Sequence, residues 1–337
     1  MSGPLAGYGL AGAAALRLWA LWASDRYGPV DLTVHDVHPD PDAAVRAAER
    51  DRPDLLFGPY GSGPTRAVAV RTDRLLWNHG GARADAPNLV PVLAAAEDYL
   101  VGVLRLVPGV AVVLRHGDTG FGRAVAEGVV AEAARTGRPV DRALLPAGLP
   151  PVPSAGGPDP APDGPSRLLL VAGGFAEERA AAEALLPGRW RAAAFVGAGV
   201  DEVLAGLGDR REGLFGPAQW LPDTAPAHPD EGPPVAEFTA AYRAATGDDP
   251  PYPAAQAFAA GLVAARCLRD AGGPADDALL AAARALDCTT LFDRFRLDPA
   301  AGRQVGHRVL TVQWQDGRRR VVAPADRAQA TPRIGGS

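Results

Sequence analysis

The sequence predicts an α/β protein of doubly wound parallel sheets with helices on both faces. Strand-like and helix-like runs alternate from the amino terminus to about residue 216, the order that parallel strands joined by crossover helices produce. Several apolar runs end in glycine-containing loops, the places where open α/β sheets hold ligands. At 337 residues the chain has room for two domains of ordinary size.

In order, residues 9–24 carry Leu10, Ala14, Leu18 and Leu21 at helical spacing. VDLTVHDV (30–37) alternates like a strand, and residues 40–50 read as a short helix with proline near its first turn. DLLFG is a strand, 62–72 a helix, RLLWN a strand, and 93–107 a helix. GVAVVLRHGD is a strand, 119–136 a long helix, and PVDRALL a strand. Residues 146–166 are rich in proline and glycine and predict a surface excursion. RLLLVAGG and WRAAAFVG are strands, followed by helices over 176–186 and 200–207. Three helices in a row then cover about 235–246, 253–271 and 275–286. Strand-like LFDRFRLD, HRVLTVQW and RRVVA follow, the last two joined by a turn at QDGR, and the tail 324–337 reads as disordered. The first element is a helix, whereas a doubly wound sheet opens with a strand feeding that helix. The expectation is therefore a sheet whose first strand is missing from the chain as written.

Composition removes several functions. The formal net charge is −5, with no basic stripe and no interleaved aromatics, which argues against nucleic acid. No lysine occurs, so neither a Schiff base nor a phosphate-loop lysine is available. The six histidines show no metal-ligand spacing. Cys267 and Cys288 form no metal motif and read as buried thiols or as a bridged pair. The apolar segment 1–24 is too short and too broken by Gly and Pro to span a membrane, and it lacks the basic leader of a signal peptide. No nucleophile elbow, triad spacing or paired carboxylate appears. The nearest thing to a catalytic pair is His116 with Asp118, so no enzyme and no cofactor are predicted.

The loop GPYGSGPT (58–65) invites three readings. A phosphate loop needs a lysine the chain does not have, and a dinucleotide fingerprint starting at Gly61 and Gly63 meets Arg66 at its third glycine position. What remains is a cradle for a small anion or amide. Backbone N–H groups of Ser62 and Gly63 open a helix there, with hydroxyls from Ser62 and Thr65. The simpler alternative is that Ser62 caps the helix.

SGPLAGYG (2–9), FGPYGSGPTRAVA (57–69), LLWNHGGA (75–82), HGDTGFGRAVAEGV (116–129), LLLVAGGFAEE (168–178) and FVGAGV (195–200), with the closing FDRFRLDPAAGRQVGHRVLTVQWQDG (292–317), occur in this order. The set resembles the leucine/isoleucine/valine-binding type of periplasmic binding protein, the type I solute receptors of ABC importers, over nearly the whole chain. The resemblance implies two α/β lobes joined by three crossovers, closing on a ligand. It assigns 1–91 and 221–306 to lobe 1, and 92–220 and 307–323 to lobe 2. It implies a ligand contacted by Tyr8, Ser62, Gly63, Asn78, His79, Gly80 and Gly81 from lobe 1. From lobe 2 it implies Phe121, Phe175, Gly199 and Asp201, with Trp220 at a crossover. Asn78 and His79 have the alternative of bonding their own loop, the two phenylalanines of packing in a core, and Trp220 of bracing the hinge. Asp118 reads as an organiser of the Gly120–Gly122 turn.

Amino-acid receptors of this kind hold the ligand's ammonium with an acidic residue in the loop after FVG. Here Ala198 and Gly199 stand there and Asp201 is displaced, so an amide, a urea-like molecule or a carboxylic acid is as good a candidate as an amino acid. The expected partners are a small-molecule ligand and an ABC permease. The alternative is a cytoplasmic sensor of the same fold, resembling amide-responsive regulators. Export is expected if the start is truncated, and a cytoplasmic location if the chain is complete as written.

Overall fold

The structure, a computed structural model, describes residues 1–83, 86–145, 167–186 and 190–334. The excursion predicted for 146–166 lies outside the described residues. In chain order the elements are α1 (Ala6–Tyr27), α2 (Pro41–Arg50), β1 (Leu56–Phe57), α3 (Ser62–Ala69), β2 (Leu76–Asn78), β3 (Leu89–Pro91) and α4 (Val101–Leu106). Then come β4 (Val112–His116), α5 (Gly120–Arg135), β5 (Val140–Leu144), β6 (Leu168–Ala172), α6 (Phe175–Leu185), β7 (Ala192–Phe195) and β8 (Phe215–Ala218). The chain continues through α7 (Val235–Thr246), α8 (Tyr252–Ala271), α9 (Asp276–Ala285), β9 (Asp287–Thr290), β10 (Asp293–Arg296), β11 (Leu310–Gln315) and β12 (Arg318–Ala323). It divides into two units, Met1–Ala95 with Gln219–Arg308, and Ala96–Ala218 with Val309–Ser337, so it passes from one to the other three times.

Unit 1 has a parallel sheet in the order β1-β2-β3. Its main core is helical: α1 packs along α8, and Trp19, Phe238 and Phe258 fill the space between small alanine side chains. A second cluster joins Trp77 of β2 and Val90 of β3 to α9 and to Cys288 and Phe295 of the antiparallel β9–β10 hairpin. Both cysteines are free thiols in this cluster, and burial pushes each up to about 12. Residues 30–37 depart from the sequence expectation. The alternation is real, since Val30, Leu32, Val34 and Val37 are half-buried while Asp31, Thr33 and Asp36 are exposed. Yet among the described residues the segment forms no ladder, because a strand is completed by a neighbour's backbone and β1 pairs there with β2 alone.

In unit 2 the sheet order is β12-β11-β8-β7-β6-β4-β5. Neighbours from β5 to β8 run parallel, while β11 is antiparallel to both β8 and β12. Leu168 to Ala172 of β6 and Ala192 to Phe195 of β7 are buried throughout, as strands covered on both faces must be. The parallel part places its first strand, β4, second in the sheet, so the chain diverges between β4 and β6. That is the switch point where such sheets open a crevice.

Three further expectations change. The helix read over 93–107 resolves into a short 3-10 turn at Ala96–Asp98 and α4. Val92 N–H donates to the Asn78 carbonyl, and Ala94 exchanges two bonds with the Gln219 amide at 3.2 Å each, which keeps 92–94 extended. Residues 200–207 hold no α-helix; 3-10 turns at Val196–Gly199 and Ala205–Arg211 stand there instead. Gly199 packs so close to the Pro217 carbonyl that a Cβ would overlap it, which pins this turn to β8. The described part of the tail, 324–334, is hydrogen-bonded to the sheet. Gln329 N–H donates to Val321 O at 2.7 Å, and Arg333 exchanges two bonds with the Gln313 amide, so its backbone finds partners on β11 and β12.

Candidate functional site

In unit 1 three helices begin in one place. Tyr8 lies in the first turn of α1, Tyr60 just ahead of α3, and Tyr252 opens α8. The Tyr8 and Tyr60 rings stack at 4.9 Å, both lie 6.2 Å from the Tyr252 ring, and the Tyr60 and Tyr252 hydroxyls are hydrogen-bonded. Gly61 packs against Leu5, so the start of α3 abuts the start of α1. None of the three helices has a side-chain cap. Their dipoles set a positive end at this cluster. All three rings are only partly buried. Tyr60 and Tyr252 were not singled out from the sequence. Their signal is an aromatic beside a strand-end glycine loop and an aromatic at a helix start, in a chain with six tyrosines.

The β2 loop packs beneath this cluster. Asn78 is buried and its amide builds the loop: Nδ2 donates to Gly81 O at 2.9 Å, and Oδ1 accepts from Gly80 N at 3.2 Å and Gly81 N at 2.8 Å. Gly80 O accepts from Gly61 N at 3.0 Å, and a Cβ at Gly80 would lie 2.4 Å from Tyr60 Cα, so only glycine permits this approach. His79 is buried against Gly12 of α1, and burial pushes its imidazole down to about 4, leaving it neutral. Ser62 does not cap α3; its Oγ accepts from Arg83 N at 3.0 Å, while Gly63 next to it is exposed. The structure thus gathers Tyr8, Ser62, Gly63 and Asn78 to Gly81 at one end of the unit 1 sheet.

In unit 2 the switch point is framed by the loops after β4 and β6. Gly117 N donates to Ala172 O at 2.8 Å, tying the two loops. Phe121 lies in the first turn of α5, edge-on to Tyr99 at 5.5 Å, and Phe175 opens α6, packed partly on the core below. Here the helix starts are capped: Thr119 Oγ1 accepts from Gly122 N, and Glu177 accepts from Gly174 N. Glu178 is buried beneath these loops. Desolvation pushes its carboxyl up to about 8, against donation from Gly173 N at 2.9 Å and Gly197 N. Gly199 is buried, and Asp201 is held by Arg319, with guanidinium nitrogens 2.7 Å from each carboxylate oxygen. Trp220 belongs to unit 1, not to this cluster; it is buried against Phe238 and donates from Nε1 to Leu291 O at 2.9 Å. His116 and Asp118 do not address each other: His116 Nε2 accepts from Arg142, Nδ1 donates to Gly117 O, and Asp118 pairs with Arg123.

The fold compares with known structures as follows. Residues 169–319 match the family model described as periplasmic binding protein. A solute-binding protein of an ABC transporter from Rhodopseudomonas palustris, solved with p-hydroxybenzoic acid, matches with a TM-score of 0.72 at 17% identity, covering 95% of this chain and 92% of that one. A leucine-binding protein from Thermotoga maritima matches with a TM-score of 0.72 at 14% identity, covering 96% and 95%. A branched-chain amino acid transporter substrate-binding protein from Streptococcus pneumoniae, in complex with isoleucine, matches with a TM-score of 0.71 at 14% identity, covering 94% of each. A search of curated proteins gave no match. The chain therefore has the fold of type I periplasmic binding proteins, the fold the ordered motifs implied, and its residues 169–319 match the periplasmic binding protein family model. No helix among the described residues is long and apolar enough to cross a membrane.

Proposed function

We propose that this chain is the solute receptor of an ABC-type importer, acting outside the cytoplasmic membrane, and that its ligand is a small carboxylic acid with a flat or apolar body. The observation that carries the ligand class is the tyrosine cluster of unit 1, where three stacked or tilted rings adjoin three helix starts without side-chain caps. Ring faces suit an aromatic or apolar body, and the N–H groups of Ser62 and Gly63 suit a carboxylate. The loop after β7 supports an acid without an α-ammonium group. Ala198 and Gly199 bring no carboxylate there, and Asp201 is engaged by Arg319. Four structures of the same fold were solved with benzoate or hydroxybenzoates. The reaction class is binding alone, with release to a membrane permease.

The test is calorimetric titration with benzoate, 4-hydroxybenzoate, leucine and acetamide. The expected result is saturable binding of an aromatic acid, weakened at least ~10-fold by Tyr60→Ala and less by Tyr60→Phe, which keeps the ring. Tight binding of leucine with none of either benzoate would reject the ligand class. Binding of an acid unaffected by Tyr60→Ala would reject the site.

A further inference from the structure

Glu178 is a carboxyl in an expensive place. It lies in the first turn of α6 and is fully buried. A Cβ added at Gly197 would lie 2.4 Å from Val203 Cγ1 and 2.8 Å from Glu178 Oε2, so the carboxyl packs directly beside that glycine. The charged group that acts on it is Glu177, the preceding residue, whose own carboxylate accepts from Gly174 N at 2.7 Å. Burying a carboxyl here costs free energy that an apolar side chain of the same size would not, and only its hydrogen bonds offset that cost.

Those bonds go to two different loops. Oε1 accepts from Gly173 N at 2.9 Å, in the loop after β6, and Oε2 accepts from Gly197 N, in the loop after β7. The β6–β7 ladder ends with Val171 opposite Phe195. Gly173 and Gly197 each stand two residues further on, so the carboxyl links the two chains in register just where their ladder stops. Phe175 follows Gly173 by two residues, and Ala198 and Gly199 follow Gly197 directly. The far end of the second loop is pinned as well, since Gly199 is pressed against the Pro217 carbonyl of β8. The loop after β4 joins through Gly117 N, which donates to Ala172 O. Glu178 is thus the side-chain link in a row that is otherwise held by backbone.

We propose that Glu178 is a positioning residue: its carboxyl fixes loop 173–175 against loop 196–199 and so sets the geometry of unit 2's share of the ligand site. The inference rests on the proposed function, in which Phe175 and the loop after β7 face the ligand. The task calls for a carboxyl rather than for any polar group. Both of its oxygens accept, with or without the proton, whereas an amide has one accepting oxygen and a nitrogen that only donates. An apolar side chain would leave both buried N–H groups without this acceptor.

The experiment compares Glu178→Gln with the unmodified chain below pH 8, where the carboxyl holds its proton, so size and charge are kept and one acceptor is lost. Benzoate, 4-hydroxybenzoate, leucine and acetamide are titrated calorimetrically, and amide exchange is read residue by residue. The expected result is a loss of affinity of at least ~10-fold for each of these that the unmodified chain binds. Exchange speeds at least ~10-fold at Gly173 or Gly197 and stays unchanged from Leu168 to Val171. Unchanged affinity, or unchanged exchange at both glycines, overturns the proposal. So does faster exchange spread through β6, which marks a merely structural role. Should the unmodified chain bind none of the four, the ligand reading fails by itself and exchange alone decides on Glu178. Faster exchange confined to the two loops then supports it, and any other pattern overturns it. Should the variant not fold, the amide signals of Gly173 and Gly197 in the unmodified chain decide. One shared pH midpoint supports a single carboxyl bonded to both, and separate midpoints or no titration overturn it.

Discussion

In unit 2, β4 lies between β5 and β6, and five strands from β5 to β8 share one parallel ladder closed at its far side by β11 and β12. In unit 1, residues 30–37 and β1 both line a cavity, and the parallel ladder has three short strands. The core of unit 1 comes instead from helices, with alanine-rich α8 pressed against α1 and Trp19. The helix starts differ in the same way: α5 and α6 are capped by their own side chains, while α1, α3 and α8 are not. Unit 2 is organised around its sheet, whereas unit 1 draws most of its core from packing between helices.

The largest expected contrast is between leucines of two parallel strands, one in each unit. Leu170 of β6 is fully buried, and Leu170→Ala should cost about 3 kcal/mol in urea denaturation. Leu56 of β1 is only half-buried beside the cavity, and Leu56→Ala should cost about 1 kcal/mol. Equal costs would break the comparison.

The two units should also respond to pH with opposite signs. Burial lowers His79 in the folded state from 6.5 to about 4, so the unfolded chain binds the extra proton between those values. Unit 1 is then fully stabilised above pH 6.5 and loses up to about 3 kcal/mol as pH falls towards 4. Labelling of the buried Cys267 and Cys288 thiols follows that opening. Glu178 runs the other way. Its folded pKa is raised from 4.5 to about 8, so unit 2 loses stability as pH rises from 4.5 through 8, seen as faster exchange of β6 amides. Cysteine labelling that does not increase between pH 6.5 and 4, or β6 exchange that shows no such loss beyond the intrinsic pH dependence, would contradict the assigned burial.

A smaller effect sharpens the contrast at the helix ends. Thr119→Ala removes the cap of α5 and should cost about 1 kcal/mol. Ser62→Ala removes no cap and should cost less, while weakening ligand binding if the N-terminal end of α3 is part of the site.

Much of this was legible in the sequence because it depends on local pattern. Apolar runs ending in glycine loops located β1, β2, β4, β6 and β7, and Thr119 before a helical pattern marked the start of α5. The alternation of 30–37 was read correctly, yet a ladder depends on a neighbour that local pattern does not report. The role of Asn78 was less legible for the same reason. Its residue type fits ligand contact and loop building equally well, and only the three bonds to Gly80 and Gly81 show the loop-building role. The tyrosine cluster joins positions 8, 60 and 252, a juxtaposition made by tertiary packing alone.

The central claim is that β4 of unit 2 is held in a ladder on both edges while, among the described residues, residues 31–35 of unit 1 join none. Residue-resolved amide exchange on the unmodified chain tests it most directly. The account predicts that amides of 31–35 exchange at nearly unprotected rates while those of β4 and β6 are protected by at least ~1,000-fold. Protection of 31–35 matching that of β4 would contradict it.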